Sequence, residues 1–152
     1  MNIIYGNELY RKIWDDIELC FNYPSRNGEF KCDKSYKNFR ATIWNEQQKS
    51  TVNEIFIKVS DEELYALDWQ HICFSYNLNK NIAYNTWWHD EQRNCNVCFP
   101  TYYPDGDYHA FISKDYNYGL FGEPWKQEIY VVGEKLISLF IDNKVALNIS
   151  EI

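Results

Sequence analysis

The sequence has no apolar run near the roughly 18 residues that a membrane-spanning helix needs. Its opening, MNIIYGNELYRK, lacks the apolar core and small-residue cleavage site of a signal peptide. No membrane partner is therefore expected, and the expected compartment is the cytoplasm. Basic charge is also short: 15 Lys and Arg stand against 22 Asp and Glu, a formal net charge of −7. Nucleic acid and anionic lipid attract Lys and Arg and are repelled by this balance, so neither is an expected partner and a basic protein is the favoured one. The five cysteines, Cys20, Cys32, Cys73, Cys95 and Cys98, are odd in number and irregular in spacing, which excludes a complete disulfide framework. There is no phosphate-binding glycine loop, dinucleotide fingerprint, nucleophile elbow or zinc-protease helix. Nothing in the chain is a positive mark of catalysis, and it carries no internal repeat.

What is abundant is aromatic surface. Thirteen Tyr, 9 Phe and 6 Trp make up 18% of the residues, more than a core needs, so some rings are expected at the surface, where they anchor interfaces. A chain of 152 residues buries about 70% of its unfolded surface, and residues 1–152 read as one domain. Leu9, Ile13, Ile17 and Cys20 recur at helical spacing and predict a helix over 7–21 with Asn7 as its cap. Pro24 ends it, and 25–35 reads as a polar loop. Phe39, Ala41 and Ile43 alternate with Arg40, Thr42 and Trp44, which predicts a strand over 39–44. Val52, Ile55, Phe56 and Val59 form a second helical stripe over 46–59. Residues 63–69 and 71–77 read as two strands or one bent one, whereas 77–92, rich in Asn and aromatics without a period, reads as a loop across 86–89. Leu136, Ile137, Phe140 and Ile141 predict a last helix after Gly133. This order specifies an α+β domain with a mainly antiparallel sheet, covered by an N-terminal, a second and a C-terminal helix.

The stretch from Asp105 to Gly133, DGDYHAFISKDYNYGLFGEPWKQEIYVVG, organises the rest. Pro104, Asp105 and Gly106 make a turn. Tyr108, Ala110 and Ile112 then alternate with His109, Phe111 and Ser113, predicting a strand with one face more buried than the other. Residues 114–117 reverse the chain, Pro124 stands outside any sheet interior, and Ile129 to Val132 form a further strand. With YALDWQH at Tyr65 to His71, this stretch resembles the bacterial Domain of Unknown Function 2716 family, in strings at 65–71, 103–115 and 119–137. The likeness covers the C-terminal two thirds, and the N-terminal third matches only in outline. The chain departs from the pattern at Glu123, where the family is expected to have His before Pro-Trp, and at Lys126, where it is expected to have an acid. The resemblance implies a fold and almost no chemistry.

Three groups of residues are candidates for function. Cys95 and Cys98 have the spacing of a thiolate pair that can grip zinc, with His89 as a third ligand, but buried or rim cysteines are the expected reading, and no metal or cofactor is assigned. Asp68, His71 and His109 could serve acid–base or ligand chemistry, with Asp105, Asp107 and Asp115 as further carboxylates. The competing reading has Asp68 and His71 satisfying each other at a strand bend and the remaining acids closing turns. Finally, Trp87, Trp88, Tyr102, Tyr103, Tyr116 and Tyr118, with Asp90, Glu91, Asp105, Asp107 and Glu123, suggest an aromatic and acidic surface suited to a basic protein partner. Trp125 is expected to complete the core, and the acids are expected outside it.

The expected function is binding. Size, acidity, aromatic excess and the missing catalytic signatures point to an immunity protein that blocks a cognate, basic, nuclease-type toxin. The alternative is an enzyme or small-ligand protein built on Asp68, His71 and His109.

Overall fold

The computed structural model describes residues 1–25, 28–69, 71–80, 87–102 and 107–152. Helix α1 spans Glu8–Phe21, and the Asn7 side chain accepts from the Tyr10 backbone N–H at 2.8 Å, satisfying one of the free donors of the first turn. Its Ile13, Ile17 and Phe21 follow one another every four residues and are all buried. Leu9, one turn earlier on the same stripe, is exposed. Helix α2, Glu46–Val59, starts with a reciprocal box between Asn45 and Gln48 and buries Val52, Ile55 and Phe56. Helix α3 covers Glu134–Asp142, and a single turn, α4, covers Lys144–Leu147.

The strands are β1 (Asn2–Ile4), β2 (Tyr36–Arg40), β3 (Leu64–Asp68), β4 (Ile72–Tyr76), β5 (Trp87–Asp90), β6 (Cys95–Cys98), β7 (His109–Ser113), β8 (Gly119–Glu123), β9 (Glu128–Val132) and β10 (Ser150–Glu151). Eight of them form one antiparallel sheet in the order β1-β4-β3-β7-β8-β9-β2-β10, while β5 and β6 pair as a separate hairpin. The stretch from Asp105 to Gly133 thus supplies three adjacent strands at the middle of the sheet. Residues 64–68 and 72–76 are two strands with Asp68 opposite Ile72, not one bent strand.

Both faces of the sheet are covered. On one face Ile13, Ile17 and Phe21 of α1 pack with Tyr65, Leu67, Ile112, Phe121 and Val132. On the other, α2 and α3 bring Val52, Phe56, Leu136 and Phe140 against Ala66, Phe74, Phe111, Leu120 and Val131. Every residue of β7 is therefore buried, a correction to the one-sided strand that its alternation suggests. The strand expected over 39–44 lies at 36–40. After it the Ala41 N–H donates to the Gln127 carbonyl at 2.9 Å and the chain leaves the sheet, so that the buried Trp44 indole donates to the Leu147 carbonyl at 2.9 Å instead of joining a ladder. Gly133 enters α3 at φ +97°, and a Cβ there would stand 2.7 Å from Tyr118 Cβ, so this corner excludes a side chain. Among the described residues no helix is long and apolar enough to cross a membrane.

Candidate functional site

One end of the sheet gathers the chemistry. Asp68 closes β3 and pairs across the ladder with His109, the first residue of β7. The turn between β3 and β4 is held by the Trp69 N–H donating to the Tyr108 carbonyl and the His71 N–H donating to the Asp68 carbonyl, each at 3.0 Å. This places His71 Nδ1 3.0 Å from Asp68 Oδ1 and 3.5 Å from Asp107 Oδ2. Asp107 fixes itself through Oδ1, which accepts from the Tyr108 N–H at 2.8 Å. The hydrogen bond to Asp68 raises the His71 imidazole above its ordinary range; desolvation works against this, and the charges of Asp68 and Asp107 add to it. His109 is only 7% exposed. Its Nδ1 lies 3.0 Å from the Thr101 carbonyl and its Nε2 lies 3.5 Å from Asp68 Oδ1. A carbonyl can only accept, so Nδ1 carries the proton and Nε2 faces the carboxylate.

Behind this group, on the α1 face, the buried Tyr23 hydroxyl lies 2.9 Å from the His109 carbonyl and 2.7 Å from that of Gly122, pinning the start of β7 to the end of β8. Glu123, the last residue of β8, is 3% exposed, and its Oε2 has no hydrogen-bond partner. Burial pushes its carboxyl above the usual range, while the Lys126 charge and the Tyr108 hydroxyl pull the other way.

The β5–β6 hairpin stands beside the cluster. Trp87 is 67% exposed and Trp88 36%. The foot of the hairpin is moored by Arg93, whose Nε donates to Asp90 Oδ2 at 2.6 Å, whose Nη1 donates to the His71 carbonyl at 3.4 Å, and whose guanidinium lies 3.7 Å from the Tyr5 ring centroid. The hydrogen bond from Arg93 holds the Asp90 carboxyl below its ordinary range. Sequence reading missed Arg93, although its partner Asp90 stands three residues before it, and missed Tyr23 and Thr101 because only the fold brings these two to their partners.

The anticipated partner surface is divided. Trp87, Trp88 and Glu91 are exposed, and Asp107 is partly so. Asp90 and Glu123 are buried, which corrects the expectation that the acids form an outer rim. Arg93 neutralises Asp90, and the Tyr108 hydroxyl hydrogen-bonds Glu123. Tyr102 is buried as well, stacked on Phe56 at 5.8 Å and 4.5 Å from the Phe111 ring. Tyr116 and Tyr118 are half-buried at the far end of β7, packed against opposite faces of the sheet. Trp125, expected in the core, is 75% exposed on a short 3-10 turn over Pro124–Lys126. Asp115 closes the β7–β8 turn, accepting from Ser113 Oγ at 2.7 Å and from Asn117 Nδ2 at 2.6 Å. Tyr103, Asp105 and the turn at 104–106 lie outside the described residues, as does 81–86 of the expected loop; its end at 87–90 is a strand.

Cys95 and Cys98 lie three apart on β6, so they point to opposite faces of the hairpin, and His89 faces Asn96 at 3.1 Å. Among the described residues, the one group of three or more side chains spaced to hold a metal ion is Asp68, His71 and Asp107.

Comparison with known proteins adds a family. An uncharacterised protein of Bacillus subtilis (strain 168), YxiI, is 36% identical over 83 residues, which are 55% of this chain and 46% of that protein. The matched stretch thus spans a little under half the length of that curated relative. No solved structure matches. The family described as "Protein of unknown function (DUF2716)" matches residues 6–137, so the likeness takes in α1 and α2 as well as the C-terminal strings, and the chain belongs to that family.

Proposed function

We propose that this chain is a small cytoplasmic binding protein, an immunity protein that blocks a cognate basic toxin of the nuclease type by direct contact. The observation that carries the reading is the β5–β6 hairpin, which stands apart from the main sheet and exposes Trp87 and Trp88 on a chain of net charge −7. Exposed indoles on a moored hairpin lose little conformational freedom on binding and fill a partner's cleft as anchors. Glu91 and Asp107, exposed and part-exposed beside them, favour a basic partner and speed its encounter. The toxin is blocked sterically, with carboxylates occupying positions where it would hold substrate phosphates.

The test is co-expression. The reading frame adjacent to this gene is expressed alone and together with this chain, and viable cells are counted. The reading predicts that the neighbour kills and that this chain restores growth; a harmless neighbour, or death in both cases, contradicts it. A second reading, an enzyme or small-ligand protein using Asp68, His71 and His109, is favoured by the meeting of those side chains at one end of the sheet.

A further inference from the structure

The β3–β4 turn and the residues entering β7 bring a carboxylate oxygen of Asp68, a carboxylate oxygen of Asp107 and a ring nitrogen of His71 within 4.8 Å of one another. The spacing is that of a coordination shell. Ligand atoms bound about 2.1 Å from one ion lie about 3.0 Å apart along an octahedral edge and about 3.4 Å apart along a tetrahedral one. Asp68 Oδ1 and His71 Nδ1 are 3.0 Å apart, and His71 Nδ1 and Asp107 Oδ2 are 3.5 Å apart, so two edges match such a shell and the third is no longer than 4.8 Å. Asp107 is already fixed through its other oxygen by the Tyr108 N–H, which leaves Oδ2 for the ion.

A second observation points the same way. The buried His109 ring gives its Nδ1 proton to the Thr101 carbonyl, and in the neutral ring Nε2 then holds a lone pair 3.5 Å from the Asp68 carboxylate. Two acceptors facing each other at that distance are satisfied by a proton or by a metal cation between them. A histidine whose far nitrogen is anchored on a backbone carbonyl is also the usual arrangement of a metal ligand.

We propose that Asp68, His71 and Asp107 bind a divalent first-row transition ion, with His109 Nε2 facing the Asp68 carboxylate from inside the fold. The imidazole in the set selects Mn²⁺, Fe²⁺ or Zn²⁺ over Mg²⁺ and Ca²⁺, which prefer oxygen throughout. His71 is exposed, so the ion enters from solvent. Once bound, it ties the β3–β4 turn to the start of β7, next to the His71 carbonyl on which Arg93 moors the hairpin. The site shares Asp107 with the toxin-binding surface, but metal binding is measured on the chain alone and does not depend on that reading.

The full chain, stripped with a chelator and dialysed, is titrated with MnCl₂ and followed by electron paramagnetic resonance and calorimetry, with MgCl₂ in parallel. One Mn²⁺ per chain is expected, bound roughly tenfold or more tighter than Mg²⁺ and weakened roughly tenfold or more in Asp107→Asn and in His71→Asn. Asn at position 107 keeps the oxygen that accepts from Tyr108, and His71 is exposed, so both variants should fold; melting of the metal-free proteins checks this, and either variant alone decides. A Cys95→Ser/Cys98→Ser double variant should bind as the parent does. Absence of saturable binding, retention of binding in a folded Asp107→Asn or His71→Asn variant, or its loss in the cysteine variant would overturn the proposal.

Discussion

Glu123 gives the sharpest prediction about stability. The carboxylate ends β8 at 3% exposure with Oε2 unpartnered, and burial raises its pKa above the usual carboxylate range. The fold therefore disfavours the ionised form relative to the unfolded chain. A carboxyl raised in this way contributes stability that is fully present below its unfolded pKa, near 4.3, and lost as pH rises through the folded value. At pH 7 keeping this carboxyl in the fold therefore carries a cost. Glu123→Gln keeps the shape and removes the charge, which should stabilise the fold by about 1–2 kcal/mol at pH 7, the part of the burial cost that a charged group bears beyond a neutral polar one. For a domain of this size that raises the melting temperature by about 2–8 °C. Melting followed by circular dichroism at pH 7 and at pH 4 tests this, since the gain should shrink towards zero at the lower pH. A lower melting temperature at pH 7, or a gain independent of pH, would refute the reasoning. Association with a partner should not change, because Glu123 does not reach the surface.

Tyr23→Phe removes the hydroxyl that lies against two buried carbonyls, and urea unfolding should show a loss of about 1–2 kcal/mol with an unchanged m-value. Gly133→Ala puts a Cβ against Tyr118 at a backbone angle that only glycine holds easily, and should lower the urea midpoint by the equivalent of about 2 kcal/mol or more. Asp90→Asn frees Arg93. Because Arg93 lowers the Asp90 pKa, the contribution of Asp90 is present above the unfolded value and lost as pH falls through the folded one. The melting difference from the parent should therefore be larger at pH 7 than at pH 3, with faster amide exchange over 87–98.

Local pattern revealed the helices well: the Asn7 cap, the Ile13–Ile17 stripe and the Val52–Ile55–Phe56 stripe each depend on neighbours in sequence. It misplaced β2 because alternation continues through Ala41 and Ile43 after the chain has left the sheet, and nothing local signals that Trp44 will find the Leu147 carbonyl. It read 87–90 as loop because a hairpin with an exposed Trp on each face shows no burial period. Charge was the poorest guide to position: Asp90 is buried with Arg93, three residues later, as its partner, and Glu123 is buried with the Tyr108 hydroxyl hydrogen-bonded to it. Within the candidate site, Asp68 and His71 lie on one turn and were legible together. Their meeting with Asp107 and His109 depends on β3 pairing with β7, a long-range contact that no local period encodes.

The most direct test of the binding account is the kinetics of association between the purified chain and the product of the adjacent reading frame, by surface plasmon resonance at low and high salt. The account predicts saturable binding whose association slows as salt rises. A Trp87→Ala/Trp88→Ala variant should dissociate roughly thirtyfold faster or more, as the loss of an anchor worth about 2 kcal/mol or more requires, whereas Trp125→Ala serves as the exposed control. Absence of binding, or parental rates in the double variant, would contradict it.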